Sequence, residues 1–200
     1  MRPVDRLSTP EATVEVRSGA PGEPLRLAGY AARFGSPSAA LRDEGGRPFR
    51  EVIRPGAFAR ALAEGQDVRA LFNHDPALVL GRTASGTLSL REDGLGLWFE
   101  AVLPETGWAR DLAATIGRGD VSQCSFSFAC RSDGWSQREG LPLRELRDVD
   151  LFDVGPVTFP AYPATAVALR SVRVPAPVEW ARHPVPARAR ARVRLAMRGN

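Results

Sequence analysis

One histidine, two serines and a handful of aspartates carry most of the chemistry open to this sequence. His74 sits in Asn73-His74-Asp75-Pro76, just past a stretch of strand character from Val68 to Phe72. The other histidine, His183, lies in an Arg/Pro-rich region near the end. A general base working near neutral pH therefore falls to His74, because an unperturbed imidazole titrates there. Ser125 and Ser127 occur in Ser122-Gln123-Cys124-Ser125-Phe126-Ser127-Phe128-Ala129-Cys130. A period of two puts Cys124, Phe126, Phe128 and Cys130 on one strand face and both serines on the other. A hydroxyl on the polar side of a strand, with an imidazole on a nearby loop, is one arrangement for activating a nucleophile. Asp75, Asp148, Asp150 and Asp153 are available to orient the imidazole. From spacing alone, a lone histidine in a polar turn is more often solvated, and a serine more often fills a strand face.

Other chemistries have less to stand on. No Cys/His spacing resembles a zinc site, and there is no P-loop, no dinucleotide fingerprint and no nucleophile elbow, so neither metal nor cofactor is expected. Cys124 and Cys130, on one strand, would hold their Cα atoms roughly 20 Å apart, too far for a disulfide. That suits a reducing setting. No apolar run approaches the ~18 residues of a membrane span, and no apolar stretch follows the first residues as in a secretory signal.

The elements that must position these groups read as α+β: mostly antiparallel strands, two helices and no βαβ alternation. Strand character runs over Leu25–Ala32, Phe49–Ile53, Val68–Phe72 and Arg144–Thr158. Thr87–Arg91 and Leu95–Leu103 form a hairpin through Glu92-Asp93-Gly94. A short helix is expected over Pro55–Glu64. A longer one covers Thr106–Arg118, with Thr106 as its cap and Trp108, Leu112, Ala113 and Ile116 on one face. A closed or nearly closed β-barrel-like core flanked by helices is the expected architecture. Residues 1–24 read as a partly ordered N-terminal segment, 25–170 as the main domain and 171–200 as a flexible Arg/Pro-rich tail.

Charge divides along the same line. The 200 residues carry a formal net charge of +4, and all 27 basic residues are arginine. Eight of them, with Glu179 as the only acid, lie between Arg170 and Asn200, a net of +7; the preceding 169 residues hold 19 arginines and 22 acids, a net of −3. The basic pI thus describes a tail on a mildly acidic body. The run Arg188-Ala189-Arg190-Ala191-Arg192-Val193-Arg194 could meet nucleic acid or an acidic protein, or be a solvated end.

Four segments in order resemble the prohead protease family of tailed phages, serine peptidases of capsid maturation distantly similar in fold to herpesvirus assembly proteases. They are Phe49-Arg50-Glu51-Val52-Ile53-Arg54-Pro55-Gly56-Ala57-Phe58; Leu71-Phe72-Asn73-His74-Asp75 with Leu80-Gly81-Arg82; Cys124-Ser125-Phe126-Ser127-Phe128; and Leu151-Phe152-Asp153-Val154-Gly155-Pro156-Val157-Thr158-Phe159-Pro160-Ala161. The resemblance implies Ser125 as nucleophile, His74 as its general base and Asp153 as the third member, with Asp150 as the alternative. The chain departs from the family pattern at several positions: Asp153 stands where Glu is common, Gly155 where Ser is common and Ser127 where Gly is usual. Cys124 replaces the common Met as an apolar filler, and a Cys124 nucleophile is disfavoured because it shares a face with the phenylalanines. Backbone N–H groups near Gly155 or after Ser125 are candidate oxyanion donors. The implied substrates are scaffold, the scaffolding segment of the major capsid protein and the protease itself, inside the assembling procapsid in the host cytoplasm. A non-catalytic assembly protein of the same fold and an Arg-tail nucleic-acid-binding module are the rival readings.

Overall fold

A computed structural model describes residues 3–9, 11–17, 23–159 and 175. Eleven strands and two α-helices follow in the order β1 (Asp5–Leu7), β2 (Val14–Arg17), β3 (Arg26–Arg33), β4 (Leu41–Arg42), β5 (Pro48–Ile53), α1 (Ala59–Ala63), β6 (Arg69–Leu71), β7 (Val79–Arg82), β8 (Leu88–Glu92), β9 (Gly96–Val102), α2 (Gly107–Gly117), β10 (Gln123–Arg138) and β11 (Leu141–Val157). One sheet runs β1-β10-β11-β5-β4, with β6 paired to β11 and β7 to β6; the other runs β2-β3-β9-β8. All pairings are antiparallel except β11 with β5 and β11 with β6.

The strand-rich composition with two helices is as expected, but the sheets do not close into a barrel. β10 pairs with β11 along its whole length, but the other edge of β11 is divided: Leu143–Leu146 pair with β5, while Asp153 and Val154 pair with β6. The sheet therefore forks along β11, and closure would need one continuous ladder.

The core fills the space between the two sheets. Phe58 meets Phe126 edge-on at 5.4 Å, and Phe126 lies 5.1 Å from Phe128, all three fully buried. Each buried phenylalanine contributes roughly 1.5–3 kcal/mol through the apolar surface it withdraws from water. Helix α2 buries Ala109, Leu112, Ala113 and Ile116, the face its periodicity indicates. Thr106 occupies its N-cap with extended backbone, yet its hydroxyl makes no capping bond, so it marks the boundary without satisfying a helix donor.

Helix α1 is shorter than expected, because Pro55–Phe58 form turns. The Glu92 carboxylate accepts from the backbone N–H of Gly56 at 2.5 Å and of Phe58 at 3.1 Å, so a side chain from β8 holds the turns that lead into the helix. The hairpin β8–β9 turns as its Asp-Gly signal indicates, with Asp93 Oδ1 accepting from Leu95 and Gly96 N–H. The segment preceding residue 25 holds two strands. β1 lies on the edge of β10, and β2 pairs with β3. Residues 171–200, apart from Pro175, fall outside the described residues, and the reading of a flexible tail falls there with them.

Candidate active site

Three elements converge on one end of β11. The two long strands are in register with Ser125 opposite Gly155 and Ser127 opposite Asp153. The turn after β6 approaches the same end. Asn73 donates its backbone N–H to Pro156 O at 3.0 Å, its Oδ1 accepts from Thr158 N at 2.8 Å, and its amide reaches Thr158 Oγ1 at 3.2 Å. Asn73 and His74 both have positive φ, 54° and 58°. A left-handed histidine is unfavourable by about 1 kcal/mol or more, so the Asn73 clamp on β11 is what holds that turn in place.

The turn delivers His74 against β11. His74 Nδ1 lies 2.5 Å from Asp153 Oδ1, and both side chains are largely buried, at 7% and 12% exposure. The other ring nitrogen, Nε2, is buried with no hydrogen-bond partner among the described residues. Asp153 also contacts Ser127 Oγ through Oδ2. The carboxylate thus stands between the imidazole and the second serine.

Ser125 is placed on the same face but otherwise engaged. It is fully buried, and its hydroxyl donates to the carbonyl of Leu7 on β1 at 3.0 Å rather than to His74. Ser8 Oγ donates in turn to Cys124 O, so β1 is held to β10 on both sides of the residue. Nothing in the motif spacing signals this cover, because the contact joins residues 118 positions apart.

The remaining aspartates are committed elsewhere. Asp150 accepts from Arg60 at 2.8 Å, from Arg131 at 2.5 Å and from Gln66 at 3.1 Å. Partial burial pushes its acid upward, but these hydrogen bonds outweigh it and hold the pKa down to about 2. Asp148 pairs with Arg60 at 3.0 Å. Asp75 accepts from Ala77 N–H within its own turn. Burial pushes the Cys124 thiol far up, which makes it a poor nucleophile and suits a filler between phenylalanines. Among the described residues no group of three or more metal-ligating side chains is present.

Gly155 has no room for a side chain. A Cβ there would lie 2.0 Å from the carbonyl oxygen of Leu71, the last residue of β6. That close approach brings the His74 turn within reach of Asp153. Gly155→Ser is therefore expected to separate β6 from β11, lowering stability by roughly 2–4 kcal/mol and Tm by roughly 5–10 °C. Thermal unfolding of the variant checks it.

Comparison with known proteins places these features in context. A model of the caudovirus prohead serine protease family matches residues 12–176. No curated protein matches the chain. Among solved structures, the bacteriophage T4 capsid assembly protease, gp21, is similar with 13% identity and a TM-score of 0.47, over 79% of this chain and 97% of that one.

Proposed function

Because the chain belongs to the caudovirus prohead serine protease family, we propose that it cleaves peptide bonds through Ser125, His74 and Asp153. The observation that carries this reading is the His74–Asp153 contact together with the unpartnered Nε2. With Nδ1–H donated to the carboxylate, Nε2 is left as the acceptor, the tautomer a general base needs. Ser125 is two residues from Ser127 on the same face and opposite Gly155, beside the turn that carries His74. In this reading the Ser125 hydroxyl leaves Leu7 O and donates to Nε2 instead.

In the reaction, His74 Nε2 takes the proton of Ser125 as Oγ bonds to the scissile carbonyl carbon. The resulting imidazolium is stabilised by Asp153. The C–N bond then breaks, the proton passes to the leaving amine, and an acyl-enzyme remains. Water attacks the ester and gives its proton to Nε2; the C–Oγ bond then breaks, that proton returns to Ser125 Oγ, and the acid is released. Access to Ser125 requires β1 to part from β10, since the hydroxyl is wholly covered in the resting structure.

Residues 25–170 form the protease domain in this reading, with a fold related to herpesvirus assembly proteases. The substrates are capsid protein or scaffold and the protease itself, met inside the procapsid in the host cytoplasm. The Arg-rich segment from Arg170, with its net +7, serves delivery into the shell by binding acidic scaffold or nucleic acid. Among the described residues no helix is long and apolar enough to cross a membrane.

The test is co-expression with the capsid protein, followed by mass spectrometry of the termini of capsid and protease. His74→Ala is expected to leave both unprocessed. New termini appearing as in the wild type would sink the assignment and favour a non-catalytic role in assembly.

A further inference from the structure

We propose that Ser127 is a positioning residue of this site: its hydroxyl donates to Asp153 Oδ2 and fixes the carboxylate that orients His74. The inference rests on the triad reading above and adds a fourth group to it. Two serines face the same way from β10, and the structure separates their roles by partner. Ser127 is directly opposite Asp153 in the ladder, and its hydroxyl is taken up by that carboxylate. Ser125 lies two pairs further along, opposite Gly155, and its hydroxyl donates to the carbonyl of Leu7.

The need for such a group follows from the carboxylate's surroundings. Asp153 is 9% exposed and Ser127 2%, so little water reaches Oδ2 to occupy it. His74 engages only Oδ1. A buried carboxylate oxygen without a donor is costly, and a carboxylate anchored through one oxygen can pivot about its Cβ–Cγ bond. A second donor on Oδ2 removes the pivot. It also keeps the charge on the carboxylate, where it stabilises the imidazolium as it forms.

The geometry further bears on the short acid. An aspartate reaches less far from β11 than a glutamate would, so its carboxylate stays close to the neighbouring strand. The side chain directly across that strand is Ser127, and a glycine there would supply no donor. Aspartate at 153 and serine at 127 are thus a matched pair across β10 and β11.

The test follows acylation of the full chain by a fluorophosphonate, with the labelled residue located by peptide mass spectrometry. In the wild type the label is expected on Ser125. Ser127→Ala is expected to slow labelling by roughly 10- to 100-fold, the loss of one charge-assisted hydrogen bond. Ser127→Thr, which keeps the hydroxyl, should stay within about threefold of wild type by the same measure. In Ser127→Ala, Asp153→Glu should recover at least about tenfold, because the longer acid reaches past the lost donor. A stability effect alone would not produce that rescue.

Labelling of Ser125 at the wild-type rate in Ser127→Ala overturns the inference. So does equal slowing in the alanine and threonine variants, which would mark a packing role. If Asp153→Asn also labels at the wild-type rate, or the wild type labels on Ser127 or not at all, the triad reading fails and the positioning role fails with it. Slow labelling in Asp153→Asn beside normal labelling in Ser127→Ala removes only the positioning role.

Discussion

Ser125→Ala is expected to lower peptide cleavage by about a millionfold, to the level set by binding and electrostatics without a nucleophile. The hydroxyl is the only group of Ser125 that the mechanism uses, and alanine keeps the β-carbon and the strand. In the resting structure that hydroxyl is bonded to Leu7 O, so its loss also frees one buried acceptor on β1. The cost to folding is about 1–3 kcal/mol, which a thermal melt resolves from the catalytic effect. Cleavage followed by single turnover on a capsid-protein substrate is the measurement. A variant retaining more than about one part in a hundred of the wild-type rate would exclude Ser125 as nucleophile, since truncating a nucleophile costs far more. Ser127→Ala, in the same assay, separates the two hydroxyls.

Asp153→Asn is expected to reduce cleavage by about ten-thousandfold with little effect on folding. Asparagine is nearly isosteric, but it removes the charge that stabilises imidazolium. Its amide can also donate to His74 Nδ1, which moves the ring proton to Nε2. Nε2 then no longer accepts from Ser125. The companion is Asp150→Asn, which should leave cleavage within about threefold of wild type, the scale expected away from the reacting groups. Asp150 is held by Arg60, Arg131 and Gln66, and its loss removes an ion-pair partner from both arginines, although Arg60 keeps Asp148. Its signature is therefore in stability. Because the folded-state pKa is depressed to about 2, the contribution of Asp150 is complete above the unfolded value near 4 and disappears as pH falls toward 2. A wild-type melt that drops across that window, with a smaller drop in Asp150→Asn, checks the sign. If Asp150→Asn instead abolished cleavage and Asp153→Asn did not, the third member would be misassigned.

The buried arginine network shows a different kind of limit. Arg144 is 5% exposed on β11 and bonds Glu51 at 2.8 Å and Asp133 at 2.5 Å. Its position in the sequence, Leu143-Arg144-Glu145, looks like a strand's solvent face alternating with a core face. Three strands converge there, and the charge is buried with its partners. Period-two patterning has no way to register a charge that is buried because it is paired.

Much of the local structure followed from the chain alone, because its causes are local. The alternation over Ser122–Cys130, the Asp-Gly turn and the apolar face of α2 depend on residues within a few positions of one another. The ordered motifs likewise pointed to the serine peptidase family that the chain matches. What tertiary structure decided is which groups meet. Along β11, Leu151 pairs with Phe128 and Asp153 with Ser127, so Phe152 is passed over in the ladder. Plain alternation would put Asp153 on the core side with Leu151; the one-residue bulge turns it to the side of the two serines. The parallel pairing of β6 with β11 then sets His74 beside Asp153, and β1 covers Ser125. Each of these depends on register between strands far apart in sequence, which no local pattern of residue types encodes.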